Sequence, residues 1–164
     1  MIRSLFRKAD ANPAAPLYAE LTAAARQPGW YRDAAVPDTM DGRYCVLATL
    51  LALADIRLAG GSEAERALSP RLTELFVADM DAQLCQSGMG DPTLGKTVRA
   101  MVAGVAARIA RLEAAIASGE WEPALGFALY RDAEVGAAEQ AAAAGLIEQW
   151  RARLERSAEL GAAR

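Results

Sequence analysis

The chain has 164 residues, is 53% hydrophobic and 24% charged, and carries a formal net charge of -3. That balance suits one globular domain, and an acidic chain without a basic block argues against nucleic acid as a partner. Histidine is absent altogether, which removes imidazole acid–base catalysis, Ser-His and Cys-His nucleophile pairs, and histidine ligation of zinc or haem.

Alanine is abundant and β-branched residues are sparse, so the expected fold is all-α: a single compact bundle of five to six helices over residues 16–164. Residues 1–15 read as a mobile N-terminal extension. Met1, Ile2, Leu5 and Phe6 can share one helical face beside Arg3, Arg7 and Lys8, which makes this segment a candidate foot on an anionic membrane. The stretch lacks the continuous apolar run and cleavage site of a secretory signal. Tyr44–Ala54, the longest apolar stretch, is too short to span a bilayer. The expected location is cytoplasmic, with the N-terminal foot allowing peripheral contact with a membrane surface.

The first helix is expected from Pro16 to Arg26, with proline in its first turn. The loop "QPGWYRDAAVPDT" follows, carrying Trp30 and Tyr31 as either core plugs or contact residues. Asp41 to Leu58 is apolar on nearly all sides, the mark of a helix in the middle of a bundle. Ser62 and Glu65 form a capping box for a third helix, and Pro70 marks a kink or restart. Leu72, Leu75, Phe76, Met80 and Leu84 continue at helical spacing until Gly88 and Gly90. Asp91-Pro92 opens the next helix. Its expected seam is Leu94, Val98, Met101 or Val102, Val105, Ile109, Leu112 and Ile116, ending at Gly119. A shorter helix over about Glu120–Arg131 and a last one over about Ala137–Leu160 complete the chain. The scattered arginines read as a solvated surface. Cys45 and Cys85 form no CxxC and read as two buried, reduced thiols.

Gly90 to Thr97 spells G-x-x-x-x-G-K-T, the letters of a phosphate-binding loop. The context contradicts it. The preceding segment has period 3.6 and no strand character, no second strand ends in an aspartate for magnesium, and Pro92 removes a backbone donor. Nucleotide binding is therefore not expected, and neither is any cofactor or metal.

The same segment carries a different signal. With Phe76 at the centre of its helix's apolar stripe, Asp79 falls about 60° away, inside the stripe, and Asp81 falls outside it. A carboxylate on an apolar face needs a partner. Lys96 and Arg99 share a face of the following helix, and Arg43 is a third candidate. The expectation is an ionic cluster of Asp79, Lys96 and Arg99 with Asp41 and Arg43, fixing how two helices and the Gly88–Asp91 turn meet or serving as a polar hot spot for a partner. No acid–base pair or metal cage accompanies it.

Taken together, "LYAELTAAARQPGWY" (17–31), "VPDTMDGRYCVLATLLAL" (36–53), "LFVADMDAQLCQSGMGDPTLGKTVRAM" (75–101) and "ALGFALY" (124–130) resemble the ubiquinol–cytochrome c chaperone family. Asp38, Asp41 and Arg43 of the first acidic motif, Asp79 and Asp81 of the Asp-Met-Asp motif, and Asp91 and Lys96 of the glycine motif all stand where that family's pattern has them. The resemblance covers Leu17 to Tyr130 and leaves the last helix outside. Cys85 stands where the family has a basic residue, "VAGVAAR" (102–108) replaces an aromatic, glycine-containing stretch, and Phe127-Ala128 stand in place of Arg-Asn. The resemblance implies a non-enzymatic assembly factor that binds newly made cytochrome b during assembly of ubiquinol–cytochrome c reductase. The alternative is a helical small-molecule or lipid-binding module with a pocket near the ionic cluster, which an apolar cavity beside Lys96 and Arg99 would favour.

Overall fold

A computed structural model describes the backbone of residues 12–88 and 91–162, and the side chains of 12–88 and 93–157. Six helices of nine or more residues and two single-turn helices make up these parts, with no strand among the described residues. They are α1 (Ala15–Ala25), α2 (Gly29–Arg32), α3 (Met40–Ala59), α4 (Glu63–Arg66), α5 (Leu68–Gln86), α6 (Asp91–Ser118), α7 (Glu122–Tyr130) and α8 (Ala137–Ala162). The all-α bundle expected from composition is therefore observed.

α3 is the axis. It packs against α1, α4, α5, α6, α7 and α8, and Tyr44 through Ala54 are buried without interruption. This is why its sequence is apolar on every side. The capping box forms as expected: Ser62 and Glu65 exchange bonds at the start of α4. α5 restarts at Leu68 after the single residue Ala67, which places Pro70 in its first turn, where the missing N–H is harmless. Helix α5 ends at Gln86 and Gly88 follows with φ +85°, so helix and not strand leads into the glycine-lysine motif. Met89 and Gly90 lie outside the described residues, as do residues 1–11 with the candidate membrane foot. The end of that extension is docked. Asn12 donates from Nδ2 to the Arg71 carbonyl at 3.0 Å, and Ala14 is fully buried.

The buried line of α6 is Leu94, Val98, Val105, Arg108, Leu112 and Ala115, with Met101 half-buried. These alternate four and three apart. Ile109 is half-buried and Ile116 is 39% exposed, so the expected seam holds at Leu112 but misses at these two positions, where Arg108 and Ala115 are buried instead. Arg108 occupies the position given to Ile109, which corrects the reading of every arginine as surface. Cys45 is buried and Cys85 exposed, both as free thiols. Cys85 lies nine residues past Phe76, half a turn round from the buried stripe of α5. Among the described residues, no helix is long and apolar enough to cross a membrane.

The segment "PDTMDGR" enters α3 through a tight contact. Thr39 caps the helix by accepting from the Gly42 N–H at 3.1 Å. A Cβ on Gly42 would meet the Pro37 carbonyl oxygen, a backbone atom that cannot step aside. Gly126 of α7 has open space around it. Gly42→Ala should therefore lower unfolding free energy by about 3 kcal/mol through overpacking. Gly126→Ala should be neutral or stabilising by up to about 1 kcal/mol, as for glycine in a helix. Urea unfolding of both variants checks the contrast.

Candidate functional site

A groove of about 950 Å³ lies among α1, α2, α3, α5 and α6. Its floor comes from Met80 and Leu84 of α5, Met101 of α6, and Tyr44 and Leu47 of α3. Met40, half exposed, stands at the mouth. Arg26, Arg32, Asp38 and Arg43 also line it, and Asp79, Gln83 and Gln86 do so from one stripe of α5. Three methionines line one groove. Thioether side chains are unbranched and polarisable, so they repack around differing apolar shapes.

Tyr31 also lines the groove, and Trp30 does not. Trp30 is 1% exposed, which corrects its reading as a contact residue. The reason is a helix end. The last carbonyls of α1 have no partner within the helix. Trp30 Nε1 donates to the Ala24 carbonyl at 2.9 Å, and the Tyr31 hydroxyl donates to the Ala25 carbonyl at 3.0 Å. The turn α2 exists to bring these donors back, and its fold from "PGWYR" was read from the sequence as a plain loop. Burial pushes the Tyr31 hydroxyl pKa up, so it stays protonated as a donor.

The expected ionic cluster does not form among the described residues. Asp79 is half-buried, as its stripe position requires, but its partners are neutral. Oδ2 accepts from the Tyr18 hydroxyl at 2.8 Å and Oδ1 from Gln83 Nε2 at 2.9 Å. Burial first, and then the hydrogen bond to Asp79, raise the Tyr18 pKa far above its ordinary value. Lys96 and Arg99 are exposed and line no part of the groove. They sit two and five residues past Leu94, off the buried line of α6. α5 and α6 meet instead through apolar contacts, with Leu84, Leu94 and Val98 buried against Val77 and Met101. Asp81 is exposed. The side chain of Asp91 lies outside the description. Arg43 Nε pairs with Asp38 at 2.8 Å beside Tyr31, and Asp41 receives two bonds from Arg131, one of them at 2.7 Å. The sites named from sequence thus divide. Tyr31, Asp38, Arg43 and Asp79 come together at the groove, Asp41 ties α3 to the end of α7, and Lys96 and Arg99 stand apart.

Behind the groove floor lies Arg108, 4% exposed. Its Nε and Nη2 donate to the Ala128 carbonyl at 3.1 and 2.9 Å, and Nη1 donates to the Gly104 carbonyl at 3.0 Å. Nη2 also lies 3.4 Å from Cys45 Sγ. Its Cζ stands 5.2 Å from the centre of the Tyr44 ring and 5.7 Å from that of Phe127. No carboxylate pairs with it among the described residues. The cation caps the carbonyl end of α7, where the helix dipole is negative, and uses ring faces in place of an anion. Phe127 is also covered by Arg111, at 3.6 Å from its centre. Tyr44 then donates to the Met101 carbonyl at 2.8 Å. Gly104 leaves the space this requires, since a Cβ there would collide with the Tyr44 hydroxyl. Tyr130, whose hydroxyl is pushed up to about 12 by burial, donates to the Ala34 carbonyl at 2.7 Å and holds the entry to "VPDT".

Fold and groove define an all-helical protein with a large amphipathic concavity on one side. The ubiquinol–cytochrome C chaperone family model matches residues 32–163. The crystal structure of the Cbp3 homolog from Brucella abortus is similar, with 31% sequence identity and a TM-score of 0.70, covering 88% of this chain and 84% of that one. No curated protein matches the sequence. The chain belongs to the ubiquinol–cytochrome c chaperone family. The family match runs through α8, so the last helix, which the sequence motifs left outside, belongs to the shared fold.

Tyr18→Phe leaves the half-buried Asp79 carboxylate short of a donor and should cost about 1.5–3 kcal/mol, the worth of a hydrogen bond to a charged group. Lys96→Ala and Arg99→Ala should stay within about 0.5 kcal/mol of wild type. Equilibrium unfolding separates this arrangement from an Asp79–Lys96 ion pair, for which Lys96→Ala would be the costly change.

Proposed function

We propose that this chain is an assembly chaperone that binds newly made cytochrome b through the methionine-floored groove during assembly of ubiquinol–cytochrome c reductase. Family membership supports the assembly role. The observation that carries the client site is the gathering of Met40, Met80 and Met101 with Tyr31, Tyr44 and Leu84 in one concavity. A chaperone must cover apolar client surface transiently, and an adaptable apolar floor inside a polar rim does that.

The protein acts by binding and not by catalysis. Its groove carboxylates are already engaged, Asp38 by Arg43 and Asp79 by Tyr18 and Gln83, which suits a fixed rim better than proton transfer. Peripheral contact with the cytoplasmic face of the inner membrane, where its client is made, belongs to the same proposal, and the Met1–Lys8 stretch is its candidate contact. The alternative of a small-molecule or lipid module rested on a pocket beside Lys96 and Arg99, and neither residue lines the groove.

Affinity purification from membranes tests the reading. Met40→Glu places a charge at the groove mouth on an exposed side chain and should cut recovery of cytochrome b by at least about tenfold, as for a contact of hot-spot size. Its melting temperature should stay near wild type. Lys96→Glu should recover cytochrome b normally. Full recovery with Met40→Glu would exclude the groove as the client site.

A further inference from the structure

The groove's surroundings restrict what can lie in it. Most of the lining is helical, with only Arg26, Pro28 and Asp38 standing in turns between helices, so most backbone N–H and C=O groups along the walls are bonded within their own helices. The ends that would be free are also closed. Trp30 and Tyr31 occupy the last carbonyls of α1, and Thr39 caps the start of α3. No sheet edge exists among the described residues to receive an extended segment. An extended peptide would bury its own backbone donors and acceptors on thioethers and aromatic rings, at high cost. A helical segment arrives with those groups already paired.

The charges add a second restriction. Arg26, Arg32 and Arg43 line the groove against Asp38 and Asp79. Arg43 pairs with Asp38, Arg32 pairs with Asp33, and both oxygens of Asp79 already accept hydrogen bonds. Arg26 is exposed on the rim, one turn beyond Thr22, and no carboxylate pairs with it among the described residues. Among the described residues Arg26 is thus the groove cation with no carboxylate in contact, and Asp79, whose two partners are neutral, is the groove carboxylate with no cation in contact.

From this we infer that the groove takes a client segment in helical form, with an apolar face on Met80, Leu84 and Met101 and a carboxylate on the flank that meets Arg26. The inference rests on the groove being the client site and adds the conformation and charge of what binds there. A flanking lysine would meet the same cation and be disfavoured, so selection comes from repulsion as well as attraction. The gain is that of one partly screened ion pair, and it should weaken as salt rises.

The test uses the full chain with carbon-13 labelled methionine methyl groups and three synthetic helical peptides. The peptides share an apolar face and differ at one flank position, as Glu, Gln or Lys. The Glu peptide should shift the Met40, Met80 and Met101 methyl signals and bind about fivefold tighter than the Gln peptide, with the Lys peptide weakest. Arg26→Gln should erase the ranking, and Arg26→Glu should invert it. Equal binding of all three peptides at the methionines would overturn the charge selection and leave the groove reading standing. A proline-bearing extended analogue that binds as well as the helical peptide would overturn the helical requirement. Methyl signals that no peptide moves would sink the groove reading itself. Signals that move with protein concentration alone, or on removal of residues 1–11, would assign the groove to a second copy or to the chain's own N-terminus, and the inference would fail.

Discussion

One buried guanidinium joins the parts of this bundle. Arg108 sits where an apolar residue would otherwise continue the buried line of α6. From there it holds the carbonyl end of α7 and stacks beside Tyr44 of α3. An unpaired charge in a protein interior is costly, and this one is tolerated because its N–H groups reach the Ala128 and Gly104 carbonyls and Cys45 Sγ while the guanidinium lies near the Tyr44 and Phe127 rings. The requirement fixes the neighbours. Gly104 must lack a side chain so that Tyr44 can reach the Met101 carbonyl, and Phe127 must present its face to both Arg108 and Arg111. Phe127-Ala128, which depart from the family's Arg-Asn, are thus the surface and the carbonyl that this arginine uses.

The groove inherits that order. Tyr44 and Met101 belong to both the arginine's surroundings and the groove floor, so the floor is braced from behind. Its rim is set by local pairs: Asp38 with Arg43, Asp79 with Tyr18 and Gln83, and Tyr31 with the end of α1. A polar rim of paired side chains around unbranched thioether side chains divides the work. The rim orients, and the methionines adjust to shape. The same division explains why "PDTMDGR" is so dense in polar residues. Thr39 and Gly42 build the turn, Asp41 anchors it to Arg131, and Asp38, Met40 and Arg43 are left facing the groove.

Most of the fold was legible because its signals are local. The capping box at Ser62, the proline at α1, the restart before Pro70 and the apolar run of α3 each follow from chemistry within a few residues. The seam of α6 was legible through Val105 and again at Leu112, and it was misread at two positions because Ile109 and Ile116 are more apolar than Arg108 and Ala115. The strict four-three alternation from Leu94 pointed to Arg108, and hydrophobicity alone pointed away from it. The site was less legible for a physical reason. The stripe arithmetic placed Asp79 correctly, but its partner Tyr18 lies 61 residues earlier on another helix, where a neutral hydroxyl gives no charge signal. Trp30 misled in a similar way. Its hydrogen bond closes a helix end six residues back, and nothing in its composition separates such a plug from a contact residue, whereas its neighbour Tyr31 makes the same kind of bond and still lines the groove.

The account places the client against Met40 and away from Lys96. A photo-reactive residue in place of Met40, and separately in place of Lys96, tests this directly in cells that are making cytochrome b. Cross-linking to cytochrome b from position 40, with none above background from position 96, is the predicted result. Cross-links from position 96 with none from position 40 would contradict the account and move the client out of the groove to the exposed face of α6.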